Sequence, residues 1–109
     1  MIECKKIHKT YDGRDRVLED LTCTFPQGSL SLLYGRSGSG KTTLLNCISG
    51  VETVQSGEIV VNGTALNDLS DDQKADFRLT NVGIIYQFFN LLPSLTVEEN
   101  ILLPAMILK

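Results

Sequence analysis

Between Gly35 and Thr42 the chain reads Gly-Arg-Ser-Gly-Ser-Gly-Lys-Thr, which satisfies the pattern G-x-x-x-x-G-K-[ST]. The glycines leave the backbone free to curl, and they let it approach a ligand with no Cβ in the way. Successive N–H groups then converge into an anion-binding nest. A helix is expected to start here, and its unpaired N–H groups and positive dipole end add to the attraction for phosphate. Lys41 can reach the β- and γ-phosphate oxygens of a polyphosphate, and the Thr42 hydroxyl is a suitable Mg²⁺ ligand. The pattern demands a strand before the loop and a helix after it. Leu30 to Tyr34 form an apolar run of the length of a buried strand. Thr43 to Ser49 put Leu44, Leu45 and Ile48 on one helical face, and Gly50 stands where a helix C-cap glycine belongs.

The chain has 109 residues, which allows one domain at most or part of one. Apolar residues make up 42% and charged residues 21%, as in an ordinary globular protein. A net charge of −3 argues against a nucleic-acid binder, whose domain is normally basic. A polyphosphate needs only a local positive site. The longest apolar segment, Ile101 to Leu108, is too short to span a bilayer and is broken by Pro104. The start, Met1-Ile2-Glu3-Cys4-Lys5-Lys6, lacks the pattern of a signal peptide, so a cytoplasmic location is expected. Cys4, Cys23 and Cys47 are odd in number and form no C-x-x-C pair, so they are expected to act as small buried hydrophobes. His8 reads as a solvated edge histidine.

Ile2 to Tyr11 reads as a strand, and Asp12-Gly13 as a turn. Leu21, Cys23 and Phe25 alternate with Thr22 and Thr24, the period of a half-buried strand. After the helix, Ser56-Gly57 reads as a turn and Glu58 to Val61 as a β-branched strand. Asn62-Gly63 is a hairpin turn, because both central residues of a type I′ turn need positive φ. Thr64 to Leu66 form the return strand. Ser70-Asp71-Asp72-Gln73 and Thr96-Val97-Glu98-Glu99 are capping boxes, so helices are expected from about Asp71 and Val97. Gly83 to Tyr86, opened by Val82, reads as an apolar strand. Pro104 should kink or loosen the last helix. Hairpin-type strands beside a strand–loop–helix unit indicate an α/β fold with an antiparallel β subdomain, not the plain alternating order of a simple nucleotide kinase.

The loop has companions. Tyr11 precedes it, and Gln87 follows it within Tyr86-Gln87-Phe88-Phe89-Asn90-Leu91-Leu92-Pro93-Ser94-Leu95-Thr96-Val97-Glu98-Glu99-Asn100. In this order the chain resembles the nucleotide-binding subunit of an ATP-binding cassette (ABC) transporter, a P-loop ATPase. The resemblance runs along essentially the whole chain. It is closest to the branch that energises lipoprotein release, macrolide export and antimicrobial-peptide export. The run from Gln87 to Pro93, the Thr-Val-Glu-Glu-Asn after it, and Leu103-Pro104-Ala105-Met106 carry that link.

The resemblance implies roles at matched positions. Tyr11 is similar to the A-loop aromatic that stacks on adenine, which is sound physically because a flat π surface holds a base. Val17 would pack against the base or ribose. Ser37, Gly38, Ser39, Gly40, Lys41, Thr42 and Thr43 would form the phosphate cradle. Gln87 is similar to the Q-loop glutamine, whose amide oxygen suits Mg²⁺ and whose NH₂ can donate to water or phosphate. Lys41 and Gln87 would thus serve catalysis, and Thr42 and Gln87 the metal. The cofactors implied are ATP and Mg²⁺. The implied partners are a membrane permease, met by the apolar Phe88 to Leu95 segment, and a second nucleotide-binding subunit, head to tail. The implied location is peripheral, on the inner face of the membrane.

The family's later motifs are not in this sequence: the signature Leu-Ser-Gly-Gly-Gln, the Walker B strand ending in aspartate, the catalytic glutamate and the switch histidine. Residues 1–109 therefore read as a partial nucleotide-binding domain truncated before those motifs, with little hydrolysis of its own. A small P-loop kinase is a second reading, disfavoured by the long stretch before the loop. A non-catalytic ATP-binding module is a third.

Overall fold

The computed structural model describes residues 1–108. Four strands form one antiparallel sheet in the order β2-β1-β3-β4, with β1 at Ile2–Thr10, β2 at Arg16–Phe25, β3 at Ser56–Val61 and β4 at Thr64–Ala65. Three α-helices follow the loops: α1 at Lys41–Ile48, α2 at Asp71–Asn81 and α3 at Val97–Ile107.

The β1–β2 hairpin turns at an Asx arrangement. The Asp12 carboxylate accepts from the amides of Arg14 at 2.8 Å and Asp15 at 3.0 Å. These donated bonds hold the Asp12 carboxyl below its ordinary range. Leu21, Cys23 and Phe25 alternate with exposed Thr22 and Thr24 as their period requires, and the strand extends back to Arg16. Asn62, with φ 49°, and Gly63, with φ 81°, make the β3–β4 turn. The return strand is shorter than expected, because Leu66 leaves it to open a 3₁₀ turn and enter the core.

Ser56-Gly57 is not a turn but the start of β3. His8 lies on β1, an interior strand, and its Nδ1 accepts from the Asp20 amide at 3.3 Å. It is therefore a bonded sheet residue and not a solvated edge histidine.

The core sits between the sheet and the two helices packed on it. Cys4, Ile7, Leu18, Ile59 and Val61 from the strands meet Leu44 and Cys47 of α1 and Phe77 of α2. On α1 the buried face is Leu44 and Cys47, while Leu45 points outward. All three cysteines are free thiols, with Cys4 and Cys47 buried. Both capping boxes form: the Ser70 and Thr96 hydroxyls each accept from the amide three residues on, and the Ser70 and Thr96 amides donate in return to the Gln73 and Glu99 side chains. Helix α3 runs through Pro104, and none of its residues is buried.

Two expected strands do not form. Leu30 to Tyr34 and Gly83 to Tyr86 carry no strand pairing, and Leu30 and Ile85 are 100% and 101% exposed. Uniformly apolar runs are the mark of parallel strands covered on both sides. No described strand lies beside either run, so neither has backbone partners to pair with.

Candidate functional site

Gly40 sets the entry to α1. It takes φ 95° as the residue before the helix, and a Cβ there would lie 3.0 Å from the Val17 carbonyl and 3.1 Å from Leu18 Cδ2. Glycine is needed for conformation and for close approach to β2 alike. Leu44 donates to the Gly40 carbonyl at 2.9 Å, closing the first helical turn. No side chain caps this end. The amides of Lys41, Thr42 and Thr43 have no intrahelical acceptor by construction. The helix start thus presents bare donors and a positive dipole end, beside the one ammonium of the loop.

Lys41 folds back over the loop, donating to the carbonyls of Gly35 and of Arg36, the latter at 2.8 Å. The Ser39 amide bonds the Arg36 carbonyl at 3.1 Å, which tightens the curl. Ser39 itself turns against Gly35.

A cleft of about 410 Å³ opens over this loop. Its floor is Ser37, Gly38, Gly40, Lys41, Thr42 and Thr43, and its walls are Tyr11, Val17 and Gln87. Of the candidate residues, Ser39 alone is not on the lining. Tyr11 extends from the end of β1, Val17 stands on β2, and Gln87 comes from the loop before α3. The β1–β2 hairpin and the loop before α3, distant from each other in sequence, therefore converge on the phosphate loop.

Tyr11 is held at its hydroxyl, which donates to Glu52 Oε2 at 2.5 Å and lies 3.2 Å from Thr43 Oγ1. The Glu52 carboxylate, as acceptor, pushes the Tyr11 phenol up. Lys9 stands over the ring, its Nζ 4.9 Å from the centroid. Gln55 clamps the end of β1 through the Thr10 amide at 2.9 Å and the Thr10 carbonyl at 2.8 Å. Sequence reasoning passed over Lys9, Glu52 and Gln55. Only Lys9 left a trace, since it stands two residues before Tyr11.

Thr42 Oγ1 and the Gln87 amide oxygen are hard oxygen donors of the kind Mg²⁺ takes, and both residues line the cleft. Among the described residues no cluster of three His, Cys, Asp or Glu side chains could hold a metal alone.

The family profile described as "ABC transporter" matches residues 18–108. The chain belongs to the ABC transporter family. Its relatives in this family include the bacitracin export ATP-binding protein BceA of Halalkalibacterium halodurans, 39% identical over all of this chain and 44% of that protein. They also include the lipoprotein-releasing system ATP-binding protein LolD 2 of Rhodopirellula baltica, 38% identical over 98% of this chain and 43% of that protein. The methionine import ATP-binding protein MetN of Vibrio cholerae is 41% identical over 95% of this chain and 31% of its own length. The ABC transporter cassette MJ0796, solved as a dimer, superposes with a TM-score of 0.93 at 35% identity, over 98% of this chain and 47% of that one. The same cassette in a post-hydrolysis state bound to ADP and Pi matches with the same TM-score of 0.93. The chain thus spans less than half the length of these ABC relatives.

Proposed function

We propose that this chain is the ATP-binding part of an ABC transporter nucleotide-binding subunit, whose complete form couples MgATP hydrolysis to export by a membrane permease. The reading is carried by one observation: Tyr11, Val17, Ser37, Gly38, Gly40, Lys41, Thr42, Thr43 and Gln87 border a single cleft. The nest amides and Lys41 bind the phosphates, and Tyr11 stacks on adenine with Val17 against the base or ribose. Thr42 and Gln87 are the residues that would hold Mg²⁺, which would supply charge neutralisation at the phosphates. Lys41 exchanges its bonds to the Gly35 and Arg36 carbonyls for phosphate oxygens, so its charge is already poised at the loop.

We assign residues 1–109 to the portion of the domain that carries the A-loop, phosphate loop and Q-loop. Phosphoryl transfer depends on positioning and charge stabilisation, and these residues contain no signature motif or water-orienting carboxylate of the family. Residues 1–109 alone therefore bind ATP but hydrolyse it slowly. The partners are a second nucleotide-binding subunit, as in the MJ0796 dimer, and a permease that meets the exposed Phe88, Phe89, Leu91 and Leu92. Among the described residues no helix is long and apolar enough to cross a membrane, which fits a subunit held at the inner face through its permease. Resemblance to BceA and LolD 2 supports the export direction, and the likeness to the methionine import protein MetN is the observation that favours import instead.

Thermal unfolding with increasing MgATP tests the proposal. A specific ligand at 100 times its Kd stabilises by about 2.7 kcal/mol, which raises the midpoint by several degrees. No shift with MgATP would overturn the assignment.

A further inference from the structure

Lys9 is only 7% exposed, and lysine is rarely buried without partners. Here it has three. Its Nζ donates to the Thr53 carbonyl at 2.7 Å, lies 3.6 Å from Glu52 Oε2, and stands 4.9 Å from the centre of the Tyr11 ring. The same Glu52 Oε2 accepts the Tyr11 hydroxyl at 2.5 Å. Tyr11 is therefore gripped twice, by a cation on its face and by a carboxylate at its tip. With an ammonium on one face, the ring has one face left to meet a base.

The anchor of this grip is α1. The amides of Val51 and Glu52 both bond the Asn46 carbonyl, at 2.9 Å and 3.1 Å, so Glu52 is fixed to the C-terminal end of the helix. At the other end, Thr43 Oγ1 meets the Tyr11 hydroxyl at 3.2 Å. The tyrosine is tied to both ends of the helix whose first turn forms the phosphate site.

We infer that Glu52, supported by Lys9, is a positioning residue that holds the Tyr11 ring at a fixed offset from the phosphate loop, so that base and triphosphate are engaged together. The inference rests on the reading of Tyr11 as the base platform. An isolated tyrosine at the end of a strand would sample many rotamers, and fixing it on binding would cost affinity. The Glu52–Lys9 pair removes that cost in advance. Neither residue touches the nucleotide in this account. Their effect reaches the base alone, through Tyr11, and leaves the phosphate contacts intact.

The test compares MgATP with inorganic tripolyphosphate, which lacks the base, by titration calorimetry on the whole chain. Glu52→Ala is expected to weaken ATP about five- to tenfold, the scale of one ordered side chain, with tripolyphosphate binding unchanged. Glu52→Gln, which keeps the acceptor for the Tyr11 hydroxyl, should restore most of the loss. In a Tyr11→Phe background, with no hydroxyl to hold, Glu52→Ala should cost nothing more. Equal losses for ATP and tripolyphosphate, or an undiminished loss in the Tyr11→Phe background, would assign Glu52 a general structural role and overturn the inference. A wild-type chain that prefers ATP but is indifferent to Glu52→Ala overturns the inference alone. A wild type that binds ATP no tighter than tripolyphosphate overturns the platform role of Tyr11 and this inference with it.

Discussion

Gly57 of β3 runs so close to Lys6 of β1 that a Cβ on Gly57 would sit 2.5 Å from the Lys6 carbonyl oxygen. The strands are irregular at this point. Lys6 has φ 48° and Gly57 φ 92°, and the β1–β3 register shifts between Lys5 and His8. An extra residue is absorbed there as a bulge, which aims the last residues of β1 toward α1 and the cleft.

Gly57→Ala should therefore be severe. Gly63 also has positive φ, at 81°, but a Cβ there meets nothing within 4 Å. Gly63→Ala should cost about 1 to 2 kcal/mol, the left-handed penalty alone. Gly57→Ala adds a backbone clash and should cost roughly 3 kcal/mol or more. Urea unfolding of both variants gives the comparison, and equal losses would contradict the close approach.

The thiols should separate by reactivity. Cys4 and Cys23 face each other across β1 and β2. Burial first, then the neighbouring Cys23, pushes the Cys4 thiol up to about 12. Burial pushes Cys47 up as well. The thiolate is the nucleophile, so both buried thiols are held in the unreactive form. Iodoacetamide on the folded chain should label Cys23 first, with Cys4 and Cys47 reached only on unfolding. Early labelling of Cys4, read by peptide mass, would contradict the packing.

Helix α3 should loosen in acid. The Glu99 carboxylate accepts from the Thr96 amide at 3.0 Å, and the Glu99 amide donates to Thr96 Oγ1 at 3.1 Å. The bond from the Thr96 amide first, then the Thr96 hydroxyl beside the carboxylate, holds the Glu99 carboxyl below its ordinary 4.5. A depressed folded value means the stabilisation is complete above the ordinary carboxyl range. It is lost as pH falls through the lowered value. Carbon chemical shifts across α3 should follow this titration, and Glu99→Gln should flatten it. A Glu99 midpoint at or above the ordinary value would contradict the capping box.

The bare apolar runs should make the chain self-associate. Leu30, Leu32, Ile85 and Phe88 all stand exposed, and apolar side chains bared in such numbers favour association. Light scattering should show concentration-dependent assembly, reduced by Ile85→Lys with Leu32→Lys. A monodisperse wild type at high concentration would contradict the exposed disposition of these runs.

The local chemistry of the chain was legible in its residues. Ser70 and Thr96 announced their helices through capping boxes, Asn62-Gly63 its hairpin, and Gly35 to Thr42 its loop. Each signal acts over a few residues, so no distant partner is needed to realise it. Leu30 to Tyr34 and Gly83 to Tyr86 were misjudged because a strand is a relation between segments. Apolar character describes what a run requires, and here no described neighbour supplies it. Ser56-Gly57 misled for a related reason: its glycine serves the approach of β1, which lies about fifty residues away in sequence and leaves no local mark. At the cleft, the lining residues followed from the motif and its companions. The grip on Tyr11 did not, because Glu52 reaches it through space from the far end of α1.

The central claim is a triphosphate site built on the Lys41 ammonium and the amides around it. Its most direct test is equilibrium binding of a fluorescent ATP analogue to the wild-type chain and to Lys41→Ala. Charge-assisted bonds of this kind contribute about 1.5 to 3 kcal/mol, so Lys41→Ala should bind roughly 10- to 100-fold more weakly while its circular dichroism stays unchanged. Equal affinity of the two proteins for the analogue would contradict the account.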